Sequence, residues 1–226
     1  MIAKYVTNTY EIMDAYQSIL IEAENASVNI EPSDNGETKL VVFEKKRRPY
    51  KFSALDGTLT VRSAKAKWYH RLRIGIDRSQ IKLYVPASGL DDISVKSNVS
   101  HVDMSLVNCN GAIDISINTG RMKLEGISCK SFHSKGNTGS LALNNFTARE
   151  SISIKRNTGK VLLNDCKSPE IIVKTNTGRV SGKLPTGTAF AVHTNTGKVE
   201  LPKAPLGEAV CGRCEIKTNT GSVKFE

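Results

Sequence analysis

The chain has 226 residues, 39% hydrophobic and 24% charged, a globular balance that excludes disordered and collagen-like chains. No stretch approaches the roughly 18 consecutive apolar residues of a membrane helix, and Met1 to Gln17 lacks the apolar core of a secretory signal. The expectation is therefore an unexported protein, in the cytoplasm or at the inner membrane face, with the cell surface open only to a chain whose native start lies upstream. Thirty-two Lys and Arg against 22 Asp and Glu give a net charge of +10, and 17 Gly with 6% aromatics favour a turn-rich β protein.

In chain order, residues 1–17 form an N-terminal segment. A first coil follows at 18–31, where Ile19, Ile21, Val28 and Ile30 alternate about Glu24. Strand-like runs come next at 38–44, 50–54, 58–62 and 81–85, separated by basic stretches, and together they read as a β excursion capping one end of the fold. Residues 40–82 carry twelve Lys and Arg against Glu44, Asp56 and Asp77, a net +9, so almost all of the excess charge lies in this stretch. Any electrostatic partner is expected there first. Residues 18–97 are thus the first coil plus a basic cap.

From residue 98 onward the chain repeats. Asn-Thr-Gly begins at Asn118, Asn137, Asn157, Asn176, Asn195 and Asn219, at spacings of 19, 20, 19, 19 and 24, with Asn98-Val99-Ser100 as a degenerate copy upstream. Four and six residues after each Asn, thirteen of fourteen side chains are apolar, from Val102 and Met104 to Val223 and Phe225. Apolar residues also recur five and three places before it, as at Ile113 and Ile115 or Ile152 and Ile154. Each unit therefore holds two short strands of period two, joined at a corner where Gly accepts positive φ and Asn bonds locally or to the Asn of the next coil. Stacked coils of 19 to 20 residues make a β-solenoid. Since parallel crossovers are overwhelmingly right-handed, the expected fold is all-β, a right-handed parallel β-helix with regular repeats over 98–226 and one continuous domain over 18–226.

The pattern Ile-x-Ile-Lys-Thr-Asn-Thr-Gly-x-Val-x-Leu, best seen over 171–181 and 216–225, resembles the bacterial putative-adhesin family of β-strand-repeat proteins, a domain-of-unknown-function family. Residues 24–30, Lys67-Trp68-Tyr69 and the strand at 83–86 resemble it too, so the likeness covers about 18–226. It implies a tie to bacterial cell surfaces or envelope-stress operons, often with a membrane anchor, and no established catalytic residues.

Enzyme chemistry finds little purchase. Parallel β-helices include polysaccharide lyases and hydrolases, so a carbohydrate-active enzyme is the alternative reading, but Asp103, Asp114, Asp165 and Glu200 share no column and the coils leave no room for groove-building loops. His70, His101, His133 and His193 are scattered without metal-ligand spacing. Gly178 to Leu184 has the look of a phosphate-binding loop but is one residue short and lacks Ser or Thr after the Lys. Cys211-Gly-Arg-Cys214 lacks the second ligand pair of a zinc site and the βαβ context of a redox motif, so Cys214 reads as a core thiol and Cys211 as a loop residue. The odd count of five cysteines suits free thiols. No catalytic, cofactor or metal site is expected.

The binding candidates are basic. The anionic-partner surface is placed on Lys45, Lys46, Arg47, Arg48, Lys67, Trp68, Tyr69, Arg71 and Arg73, which mix cations with an aromatic pair suited to an anionic membrane or acidic protein. A secondary ladder stands two residues before the Asn at Lys135, Lys155, Lys174 and Lys217, where lysines that guard exposed sheet against edge pairing are one reading and an anionic polymer or lipid surface lying along the stripe is the other. Nucleic acid fits less well, because a single Trp-Tyr pair offers little stacking. The function expected is a non-enzymatic bacterial scaffold that presents a binding surface to an envelope component or a protein partner.

Overall fold

In the computed structural model, the structure describes residues 4–63, 79–202 and 210–226. These form one sheet of thirteen strands and no helix: β1 (Tyr5–Ile12), β2 (Ser18–Pro32), β3 (Thr38–Lys45), β4 (Lys51–Leu55), β5 (Thr58–Arg62), β6 (Ser79–Val85), β7 (Ile93–Ser105), β8 (Ala112–Lys167), β9 (Glu170–Lys183), β10 (Thr188–Thr196), β11 (Val199–Glu200), β12 (Gly212–Thr220) and β13 (Val223–Phe225). The described residues are therefore all-β in a solenoid-like arrangement.

Side-chain alternation explains the stack. In β7 and β9 alternating apolar residues are buried, and each strand pairs in parallel with β8, like on like. Ile93 lies beside Ile113 and Val102 beside Met122, while Ile152 lies beside Ile171 and Val161 beside Val180. The same register reaches β2, where Ile19, Ile21, Val28 and Ile30 pair with Ile93, Val95, Val102 and Met104, which puts Glu24 opposite Asn98. The single core runs inside the stack, from Leu40 and Ile81 at one end to Ile216 and Phe225 at the other, and Phe132 and Phe146 pack their rings 5.0 Å apart within it. A one-residue slip would turn every one of these side chains out to water, so burial fixes the register.

The corners are held by two columns. Asn118 Nδ2 donates to Asn98 Oδ1 at 3.1 Å, Asn157 to Asn137 at 3.0 Å and Asn195 to Asn219 at 2.6 Å. Two residues on, the glycines have φ of +149° at Gly120, +135° at Gly139 and +149° at Gly159. A Cβ on Gly159 would lie 1.7 Å from the carbonyl oxygen of Gly139, so only Gly allows the coils to close to rung distance.

The spatial order departs from the chain order at both ends. β2 sits between β5 and β6, which each pair with it on one side, and β7 on the other, so the coil first in sequence is not the end of the stack. At the other end β12 inserts between β9 and β10, pairing Ile216 with Val173 on one side and with Val192 on the other. The strand numbered last among the long ones is thus an inner rung. The rung left outside is the one whose apolar residues are not covered: Val199 and Leu201 are exposed, against the expectation that they face the core. The antiparallel part is confined to the opposite end, where β1 pairs with β3, β3 with β6, and β4 with β5.

Candidate functional site

The residue two before each corner Asn points outward, and this column carries Ser116, Lys135, Lys155, Lys174, Lys217 and His193, all exposed. Chain order would interrupt the lysines with His193. The insertion of β12 removes the interruption: Lys155 pairs with Lys174, Lys174 with Lys217, and Lys217 with His193. Four lysines therefore stand on consecutive rungs, about 4.8 Å apart along the stack. At that spacing like charges repel by roughly 1 kcal/mol per pair in water before screening by salt.

Among the described residues little offsets this. Lys217 pairs with Glu215 at 2.6 Å, and that contact holds the Glu215 carboxyl below its ordinary range, with Arg213 and Lys174 adding to the effect. Among the described residues no carboxylate lies within ion-pair distance of Lys135, Lys155 or Lys174. Between this column and the Asn ladder runs a groove of about 840 Å³, whose lips are the lysines and the asparagines. None of its lining residues is acidic, and none is Phe, Tyr or Trp.

The floor of the groove is the column between the lips, Ile117, Gly136, Arg156, Thr175 and Thr218. Period two turns these side chains inward, and Arg156, Thr175 and Thr218 are all buried. Arg156 donates from Nη2 to the Met122 sulfur and to Ser134 Oγ, each at 3.1 Å. Its Nε and Nη1 meet no acceptor among the described residues, nor does Thr175 Oγ1 or Thr218 Oγ1 find a partner. Burial lowers the guanidinium to about 10, which leaves it charged at neutral pH. A buried cation without a carboxylate is costly, and here only two hydrogen bonds from Nη2 offset that cost. Arg156 was not singled out from sequence, where attention fell on the columns flanking the corner. The available signal was an Arg in a column that otherwise reads Ser, Ile, Gly, Thr, Thr and Thr.

The cap residues are not brought to this groove. Lys45 is half-buried at the end of β3 with its ammonium 5.9 Å from the Tyr5 ring centroid, while Lys46 and Arg47 are exposed and Arg48 half-buried in the turn that follows. That turn is anchored by the buried Glu44 carboxylate, which accepts from Asn8 Nδ2 at 2.7 Å and from the Tyr50 backbone N–H. In the sheet, β6, β2 and β7 separate β3 from β8. Lys67, Trp68, Tyr69, Arg71 and Arg73 lie outside the described residues.

Among the described residues no three His, Cys, Asp or Glu side chains gather as metal ligands would. Nor, among the described residues, is any helix long and apolar enough to cross a membrane. Cys109, Cys129, Cys166 and Cys214 are buried and free, Cys211 is exposed and free, and desolvation pushes the Cys129, Cys166 and Cys214 thiols up to about 12.

Stacked, register-locked coils with asparagine ladders and a basic outer row define a repeat protein of the β-solenoid kind. Residues 16–224 match the family model described as Toastrack DUF4097, and the chain belongs to that family. This agrees with the bacterial putative-adhesin family that the repeat residues resemble. No curated protein matches the chain. Similar solved structures include a putative cell adhesion protein from Clostridium sporogenes at 11% identity, covering 99% of this chain and 98% of that one, with a TM-score of 0.45. Others are putative adhesins from Parabacteroides distasonis, at 12% identity, 98% and 97% coverage and a TM-score of 0.45, and from Bacteroides fragilis, at 15%, 99% and 97%, and 0.42.

Proposed function

We propose that the protein is a non-enzymatic, adhesin-like scaffold of the bacterial envelope. It is built as a right-handed parallel β-helix with 19 to 20 residues per coil and an N-terminal β cap, and it holds an anionic envelope polymer, membrane surface or acidic protein on its basic faces. The offsets that pair Ile93 with Ile113 and Ile152 with Ile171 support that coil length, and the handedness follows the rule for parallel crossovers. The reading includes a location at the cytoplasm or inner membrane face, with the cell surface as the alternative.

The observation that carries the proposal is the row Lys135, Lys155, Lys174 and Lys217, exposed, on consecutive rungs and acid-poor. A solenoid of this regularity positions such a row rigidly, and a binding surface gains from that because little side-chain and backbone order must be imposed on contact. The cap cations Lys46 and Arg47 offer a second, more distant basic site. A carbohydrate-active enzyme would need carboxylates converging on a groove, and the groove here is lined by none.

The test is cosedimentation with isolated bacterial envelope fragments and with anionic vesicles over a salt series. Binding that weakens as salt rises, and that drops when Lys135, Lys155, Lys174 and Lys217 are replaced by Gln, is the expected result. Absence of binding at low salt to either material would overturn the scaffold reading.

A further inference from the structure

We infer that the groove beside the lysine row is a track for a linear, base-free polyanion of the polyphosphate or polyphosphodiester class. This rests on the scaffold reading and names the ligand of its main surface.

The groove crosses about six rungs, roughly 24 Å at 4.8 Å per rung, from Ser116 to His193. A ligand that fills it must be extended and must carry charge along its length, because the cations facing it are spread over four rungs. Both lips donate. On one side stand the ammonium groups. On the other, Asn118, Asn157 and Asn195 each spend one amide N–H on a neighbour in the ladder, as in Asn157 to Asn137 at 3.0 Å, and keep a second.

The chemistry of the lips narrows the class. A lysine ammonium meets a phosphate as a point charge from any direction, whereas the planar fork that grips carboxylate or phosphate in two parallel bonds belongs to arginine, so the row suits an anion charged at every unit of its chain rather than one gripped group by group. The single arginine of the lining, Arg156, is buried beneath the floor and offers no fork to the groove. Its charge still acts there. No carboxylate among the described residues reaches it, and a cation in a low-dielectric wall is weakly screened from a ligand lying over that wall. Nucleic acid is disfavoured because the lining holds no Phe, Tyr or Trp on which bases could stack. A flat bilayer would touch the tips of the lips and leave the floor unused.

The experiment titrates the full chain with long-chain polyphosphate, tripolyphosphate, orthophosphate and a single-stranded oligonucleotide of matched charge, across a salt series. Long polyphosphate should bind at least tenfold more tightly than tripolyphosphate, and orthophosphate at equal phosphate concentration should not compete. The triple variant Lys135→Gln, Lys155→Gln, Lys174→Gln should weaken binding at least tenfold and reduce the slope of log affinity against log salt by about 2. Arg156→Met changes a buried side chain of the groove floor, leaves both lips intact and should weaken binding a few-fold, with the melting temperature retained or raised. Wild-type affinity in the triple variant, equal competition by orthophosphate, or tighter binding of the oligonucleotide than of polyphosphate would each overturn the inference. If envelope fragments still bind through the ladder while polyphosphate does not, the scaffold reading stands and the ligand class falls. If neither binds, both fall.

Discussion

Nη1 of Arg156 stands 2.0 Å from the point that a Cβ on Gly136 would occupy, so the guanidinium of one rung fills the space left by the missing side chain of the rung before it. The two positions are coupled. Gly136→Thr should cost about 1–3 kcal/mol by overpacking, whereas the double variant Gly136→Thr, Arg156→Thr copies Thr175 and Thr218 in the same column and should recover part of the loss, the approach of the new Cβ to within 2.8 Å of the Ile117 carbonyl oxygen remaining. Urea denaturation of the four members of this cycle should give a coupling of at least about 1 kcal/mol, and simple additivity would show that the pair does not share the space.

The corner glycines should be far less replaceable than the asparagines beside them. Gly159→Ala combines a φ of +149° with a Cβ 1.7 Å from the Gly139 carbonyl oxygen, and should cost about 3 kcal/mol or more. Asn157→Ala removes one exposed amide–amide bond and should cost about 1 kcal/mol. Thermal melts compare them directly, and equal losses would contradict the close approach of the coils.

The core register makes a sharper contrast between neighbours. Val161 is buried and Leu162, one residue on, faces outward and is half-buried. Val161→Asp should therefore lose several kcal/mol while Leu162→Asp stays within about 1 kcal/mol of the parent. Similar melting temperatures for the two would refute the register.

Thiol chemistry separates the loop from the core. A charged maleimide at neutral pH should label one thiol per native chain, Cys211, and all five after denaturation, because the other four are buried. For Cys129, Cys166 and Cys214 the folded value of about 12 lies above the ordinary thiol value. Their contribution is therefore intact below about pH 9 and is lost as pH rises towards 12, since the unfolded chain releases these protons first. A stability that climbs over that range would reverse the sign expected of buried thiols.

Much of this was legible in the residues. The Asn-Thr-Gly spacing gave the stack, the apolar columns gave its core, and Ile19, Ile21, Val28 and Ile30 placed Glu24 opposite Asn98. The order of the rungs was not legible, for a physical reason. Near-identical coils are interchangeable as neighbours: Ile216 satisfies Val173 as well as it satisfies Val192, so local pattern cannot say that β12 lies between β9 and β10. The groove floor was missed for a different reason. Alternation continues one residue closer to the Asn than the apolar columns suggest, and at that inward place Arg156 sits on a charge that sequence habit assigns to the surface.

The central claim is that the lysine row, completed by the out-of-order rung, is the binding surface. Lysine acylation read by mass spectrometry, with and without bound envelope fragments, tests it most directly. Protection of Lys135, Lys155, Lys174 and Lys217 on binding, with Lys46 modified at its free rate, is the predicted result. Protection of Lys46 with the four ladder lysines unchanged would place the contact on the cap and contradict the account.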